Sequence, residues 1–334
     1  MTPGRVLGVV ALGLLALGTV AALSLAVGVE HIDLGRALRE PGSIDGIILG
    51  TRQSRLVLGA LVGAALAPAG VAFQALLRNP LADPYVLGVS GGASVAGTLA
   101  IVIGAGAGLL GRWTLPLWAF LGAMASVALV FAFGRVRGRL SPNTALLAGV
   151  VLNALASALI IAIRVFASPT QLHEALYWLT GTLSVPAEAD QLLVLSLYTA
   201  LGVGLLYKSA VAMNAFALGD EAAHTVGVDT DRARRTIFLA ASLLTGAAVA
   251  VAGPIAFVGI VVPHTLRGLL GPDHRTLLPA SALGGAAFLV AADTLARLAF
   301  SLAGTEPTVG VLTALLGAPF FLVVLRRRGA SRMF

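Results

Sequence analysis

The sequence has 334 residues, of which 58% are apolar and 11% charged, against about 25% charged in an ordinary soluble domain. That balance excludes a soluble enzyme, and the 40 glycines follow no G-X-Y period, which excludes collagen. The formal charge is +7 and cysteine is absent, so disulfides, thiolate metal sites and a cysteine nucleophile are excluded as well.

Ten apolar runs follow in chain order, at residues 6–27, 56–77, 86–103, 113–133, 145–166, 192–207, 237–252, 255–265, 277–302 and 309–325. The first is longer than the core of a signal peptide and repeats the pattern of the later runs, so it reads as a retained span. About 20 apolar residues cross the hydrocarbon of a bilayer as a helix. The expected fold class is therefore an all-α membrane protein with about ten transmembrane helices, residues 1–334 forming a single transmembrane domain. Pro68 predicts a kink in the second run, and Gly88, Gly91 and Gly92 predict close backbone approach at the start of the third. Gly253-Pro254 separates the seventh run from an eighth of only 11 residues. So short a run cannot cross straight, and a broken element packed inside protein is expected there.

One internal similarity stands out. The stretch Leu61-Val-Gly-Ala-Ala-Leu-Ala-Pro-Ala-Gly70 aligns with Leu244-Thr-Gly-Ala-Ala-Val-Ala-Val-Ala-Gly253, seven of ten positions being identical. One stretch runs inward and the other outward, which gives the fold an inverted-repeat character.

Basic residues near span ends are retained on the cytoplasmic side. With the N-terminus inside, 15 of the 22 basic residues are cytoplasmic, among them arginines 135, 137, 139, 326–328 and 332. The inner face then carries +9 and the outer face −2, and both termini are cytoplasmic. The excess charge thus marks topology rather than a nucleic-acid site.

Catalytic constellations are missing. There is no G-x-S-x-G elbow, no H-E-x-x-H pair and no His cluster, so no catalytic residue and no metal site is assigned. The one lysine, Lys208, follows Tyr207 where a phosphate-binding loop needs glycine. The chain does not bind ATP by that route, so any ATP-driven work needs a partner. Asp293 and Arg297, four apart on one helix, can face and partly neutralise one another. Asn153 and Ser157 share one face of the fifth run, where they either line a path or bond a neighbouring helix.

Four stretches carry a family resemblance. They are Arg78-Asn-Pro-Leu-Ala-Asp-Pro-Tyr-Val-Leu-Gly-Val-Ser-Gly-Gly-Ala93; Gly181-Thr-Leu-Ser184 after Tyr177-Trp178; Gly253-Pro-Ile-Ala-Phe-Val-Gly-Ile-Val-Val-Pro-His264 with Gly271-Pro-Asp-His-Arg275; and Gly310-Val-Leu-Thr-Ala-Leu-Leu-Gly-Ala-Pro-Phe-Phe321. In order and spacing the chain resembles permease subunits of the iron-chelate and cobalamin family of bacterial ABC importers, the type II importers. The resemblance implies a bacterial or archaeal inner-membrane permease that imports an iron-siderophore, haem or cobalamin by alternating access. It implies as partners a second copy of the chain around a two-fold axis, two ATP-binding subunits and an extracytoplasmic binding protein, besides membrane lipid. No cofactor is implied in this chain, ATP and magnesium being expected in the partner ATPase.

Residue roles follow from the same resemblance. The loop 218–229 matches the family's segment for coupling to the ATPase and includes Gly219, Asp220, Glu221, Ala222, Ala223, His224 and Gly227. Asp220 and Glu221 suit a helix N-terminus and Gly227 the residue past its end, with Ala222, Ala223 and Val226 as contact surface. Arg52 and Arg55, just before the second helix, and Arg297 match positions that dock the binding protein. Ser141, Pro142 and Asn143 fall where the family narrows the pathway, although Pro142 and Asn143 depart from its small hydroxyl residues, and Ser141-Pro142 equally suits a helix start. Arg164 either attracts an anionic chelate or anchors the membrane surface. The rival reading is an ion-coupled secondary transporter with inverted repeats, against which stands the scarcity of mid-membrane acids.

Overall fold

A computed structural model describes residues 3–80, 82–104, 111–136, 139–185 and 187–330. Leu81 of the first motif, and Arg137 and Arg332 of the inner basic set, lie outside the described residues. Fourteen α-helices follow one another among them: α1 (Pro3–Ala26), α2 (Leu34–Arg39), α3 (Ile44–Leu77), α4 (Val89–Val102), α5 (Thr114–Phe133), α6 (Pro142–Arg164) and α7 (Pro169–Leu179), then α8 (Ala189–Lys208), α9 (Ala210–Phe216), α10 (Asp220–Thr225), α11 (Thr230–Ala252), α12 (Val258–Leu270), α13 (His274–Ala303) and α14 (Val309–Ala330). A two-residue antiparallel pair, Arg135–Val136 with Arg139–Leu140, joins α5 to α6.

Seven of these helices, α1, α3, α5, α6, α8, α11 and α13, are long and apolar enough to cross a bilayer. Three shorter apolar helices, α4, α12 and α14, complete the ten spans. The even number returns the chain to the side on which it started.

Local chemistry sets the boundaries. Ser43, Ser141 and Asp229 each turn a side-chain oxygen onto a first-turn N–H of α3, α6 and α11, satisfying donors that have no partner within the helix. Pro142 takes the first turn of α6, where its missing N–H costs nothing. Ser168 and Gln171 form a reciprocal capping box on α7.

The largest departure from the sequence-based expectation is at α3. Its 34 residues begin at Ile44, so the helix extends three turns beyond the apolar run that starts at 56. Arg52 and Arg55 lie inside it, not before it. The helix tolerates them because each finds buried partners on other elements.

The bundle is centred on α3 and α11. In both, 72% of the apolar window is buried, against 6% in α1 and 11% in α6; the last two turn most of their surface outward. Small residues let the central helices touch backbone to backbone: Gly63 of α3 lies against the carbonyl of Gly285 on α13, and a side chain at either position would enter the other helix. Phe73, Phe131 and Phe238 fill the space between α3, α5 and α11 with ring centroids 6.0 and 6.1 Å apart.

The two interrupted short spans begin alike. Both α4 and α12 start at a residue in the left-handed region, Gly88 (φ 80°) and Phe257 (φ 69°), and each follows an irregular stretch that interrupts a hydrophobic run. At 13 residues α12 rises about 20 Å, two-thirds of a bilayer core of about 30 Å. The stretch 253–257 that precedes it is enclosed by protein, as the Gly253-Pro254 break requires.

Candidate functional site

The four motif stretches, far apart in sequence, meet around the break between α11 and α12. Gly253 ends α11 with φ 68°, and a Cβ there would strike the carbonyl of Trp178. The Thr182 N–H donates to the carbonyl of Ala252 at 2.8 Å, and the Gly310 N–H to that of Gly181 at 3.1 Å. Gly310 lies so close to the Thr180 carbonyl that no side chain fits, and Gly317 faces the ring of Phe257. The backbone groups freed by the break are thus paired across elements, as a membrane interior demands.

The first motif reaches the same place. Asp83 is buried and accepts from the N–H groups of Tyr85, at 2.8 Å, and Phe257. Its carboxylate therefore joins the loop before α4 to the start of α12. Asn153 donates to the carbonyl of Tyr85 at 2.8 Å and holds that loop against α6. Of the two alternatives for Asn153, the structure shows bonding to a neighbouring segment. Ser157 is exposed and bonds back to the Asn153 carbonyl.

At the outer end a knot of charge ties α1, α3 and α13. Arg55 Nε lies 2.8 and 2.9 Å from the two oxygens of Asp293, and its guanidinium also pairs with Glu306. Arg297 Nε is 3.4 Å from Asp293, the i,i+4 pairing expected. Arg52 donates to the carbonyl of Leu25 at 2.8 Å, while Arg297 donates to the carbonyls of Ser24 at 3.0 Å and Val27 at 3.2 Å. These are carbonyls at the C-terminal end of α1, which lack partners within the helix and carry its negative dipole end. All three arginines are at most 9% exposed. Arg52 and Arg55 thus lie within α3 and not just before it, and within the chain the charge of the three arginines caps α1 and neutralises Asp293 and Glu306.

On the cytoplasmic side, α10 starts at Asp220 after Gly219 (φ 107°) and ends before Gly227 (φ 85°), the boundaries the residues predicted. Leu218 and Val226 are 73% and 65% exposed, and Glu221 and His224 are exposed beside them. Ala223 is fully buried; unlike Ala222, it belongs to the chain's own core and not to a contact surface. Arg234, at the start of α11, donates to the carbonyl of Leu140 at 3.1 Å and lies over the ring of Phe216.

Ser141 accepts from the Thr144 N–H at 3.5 Å as the cap of α6, with Pro142 and Asn143 in the first turn. Arg164 closes the other end of that helix.

Broken helices, small-residue contacts and four motifs converging on one junction describe a transport scaffold, and comparison with known proteins decides which. The FecCD transport family matches residues 14–327. The chain belongs to the FecCD transport family. This FecCD permease is 45% identical over 283 residues to the cobalamin import system permease protein BtuC of Halobacterium salinarum, covering 84% of this chain and 74% of that one. It is 42% identical over 287 residues to the hemin transport system permease protein HmuU of Yersinia pestis, covering 84% of each chain. It is 36% identical over 311 residues to the Fe(3+)-citrate import system permease protein YfmD of Bacillus subtilis, covering 91% and 90%. Among solved structures it resembles an inward-facing metal-chelate type ABC transporter with a TM-score of 0.82 and 30% identity, covering 97% of this chain and 99% of the other. This FecCD permease is thus a multi-pass membrane permease of the ABC importer class.

Three residues that organise the site are not evident from sequence: Gln74, Asp83 and Asn214. Gln74 is the only polar side chain in the apolar run 56–77, and that isolation is the available signal. Asp83 reads as one more acid of an inner connection, and Asn214 as an ordinary loop residue.

Proposed function

We propose that this permease is the transmembrane subunit of an ATP-driven importer of a compact metal chelate, an iron-siderophore, haem or cobalamin, with residues 1–334 acting as one domain. Two copies assemble around a two-fold axis that contains the pathway. ATP hydrolysis takes place in two partner subunits, and a binding protein delivers cargo at the outer face. The relatives named for cobalamin, haemin and iron citrate support that cargo class.

The observation that carries the coupling assignment is the exposed apolar pair Leu218 and Val226 flanking α10. On an aqueous face, such a pair at the ends of a short helix suits burial in a partner's groove. Gly219, Asp220, Glu221, Ala222, His224 and Gly227 belong to the same segment, 218–229. Closure of the ATPases moves it, and that motion switches which end of the dimer cavity is open. Along α6, Ser141, Pro142 and Asn143 stand at the inner mouth and Asn153, Ser157 and Arg164 further along, and the outward apolar face formed by Leu147, Val151 and Leu155 supports a place at the dimer axis. Arg52, Arg55 and Arg297 serve docking by setting the outer surface that the binding protein meets.

Reconstitution tests the reading. In liposomes the permease with its ATPase should accumulate a cobalamin, haemin or ferric-siderophore probe only when ATP and the binding protein are supplied. Uptake by the permease alone down an ion gradient would instead establish the secondary-transporter reading.

A further inference from the structure

The coupling helix has two connections to the rest of the chain. One is the chain itself, which passes through Val228, whose N–H donates to the Ala223 carbonyl at 3.1 Å, and enters α11 at Thr230. The other runs through α9, whose last residues bond into the turn that leads to α10, Leu218 N–H to Ala215 and Gly219 N–H to Phe216. α9 packs against α3 and α13, yet a cavity of about 540 Å³ opens between α9, the inner end of α3 and the turn joining α12 to α13. Met213 and Phe216 of α9 are buried, and on the side of the helix that faces the cavity polar bonds bridge the gap.

Among the described residues, Asn214 supplies those that join α9 to the start of α13. The Asn214 side-chain amide donates to Asp273 Oδ1 at 2.9 Å. Its oxygen accepts the backbone N–H of His274 at 3.0 Å and lies 2.7 Å from His274 Nδ1. Asp273 is the N-cap of α13, with the same Oδ1 accepting from Arg275 N–H at 2.9 Å. Asn214 thus grips the cap and the first N–H of α13 at once. The far end of this 30-residue helix bears Asp293 and Arg297, which join α3 and α1.

We infer that Asn214 is a positioning residue for energy coupling, fastening the segment before α10 to the first turn of α13 so that displacement of the coupling helix reaches α13 as well as α11. The inference rests on the importer reading. Without the grip, the Ala217-Leu218-Gly219 joint and the cavity absorb the movement on this side.

The test uses the permease–ATPase complex in liposomes, with spin labels at two exposed positions, Thr225 on α10 and Arg275 on α13. In the otherwise native chain their separation should stay constant between nucleotide-free and ATP–vanadate states. With Asn214→Ala the separation should change with nucleotide, and transport per ATP hydrolysed should fall roughly five- to tenfold, the lower range for coupling between distant sites. Asn214→Asp keeps the size of the side chain and an acceptor for the His274 N–H but sets two carboxylates face to face, and should lose both readouts as Asn214→Ala does. If Asn214→Ala leaves the separation constant and transport coupled, the clamp is wrong. So it is if Asn214→Asp keeps both readouts of the native chain. A native chain that never engages an ATPase overturns the importer reading instead, and the two failures are told apart by the unsubstituted complex.

Discussion

The side-chain amide of Gln74 donates to the carbonyl of Gly259 at 3.0 Å, and Gly259 stands four residues before Pro263. Within α12 that carbonyl would bond the N–H of residue 263, which proline lacks. Gln74 supplies the missing donor from α3 and in turn accepts from Arg267 at 2.8 Å. Gln74→Leu should therefore leave a buried carbonyl unpaired and cost about 1–3 kcal/mol, read as a lower melting temperature in detergent. Adding Pro263→Ala restores an N–H at the proper place and should recover much of the loss. Equal destabilisation by Gln74→Leu in both backgrounds would show that the two residues do not act through Gly259.

The outer arginines separate stability from docking. Asp293→Ala strips Arg55 and Arg297 of a shared buried counter-charge and should destabilise by about 3–5 kcal/mol, the range for breaking one side of a buried pair. Arg52→Glu and Arg55→Glu should likewise lower thermal stability along with binding-protein affinity. Should either charge reversal weaken the binding protein while melting like the native chain, the arginine would be a direct docking contact and not an internal cap.

Glycine contacts predict an asymmetry that calorimetry can read. Gly63→Ala and Gly285→Ala force α3 and α13 apart, since the new methyl meets the opposite backbone, and each should cost about 1–3 kcal/mol. A methyl added to Gly204 on α8 would meet nothing within 4 Å, and Gly204→Ala should stabilise by about 0.4–1 kcal/mol. A similar response at all three sites would contradict backbone-to-backbone packing as the reason for these glycines.

The coupling segment divides between surface and core. Val226→Glu changes an exposed side chain and should alter stability by less than about 0.5 kcal/mol, while weakening ATPase binding in a pull-down. Ala223→Trp forces bulk into a fully buried position and should disrupt the segment itself, detectable as protease sensitivity near Gly227. Normal ATPase binding by Val226→Glu would remove this face from the interface.

What is legible in the sequence follows the physics of lipid. Spans such as α6 and α11 are readable because hydrocarbon tolerates only long apolar stretches, and the break at Gly253-Pro254 because it leaves backbone groups needing partners. The outer three turns of α3 are not, since Arg52 and Arg55 look like loop charges until their acceptors, Leu25, Asp293 and Glu306, are brought beside them. The same holds for Gln74 and Asp83, which also bond Gly259 and Phe257, more than 170 residues away along the chain. In the coupling loop, glycine and acidic residues mark the bounds of α10, but a six-residue helix does not declare which alanine turns inward.

The capping of α1 also sets an order of assembly. This helix is synthesised ahead of the other thirteen, yet little of it is buried and its outer end is held by Arg52 and Arg297. The second of these is synthesised only after most of the chain. At roughly 5–20 residues per second, α1 spends tens of seconds in lipid with part of its C-terminal end unclaimed. A span synthesised early is therefore among the last to find its place, and truncation before residue 297 should leave α1 open to exchange with other helices.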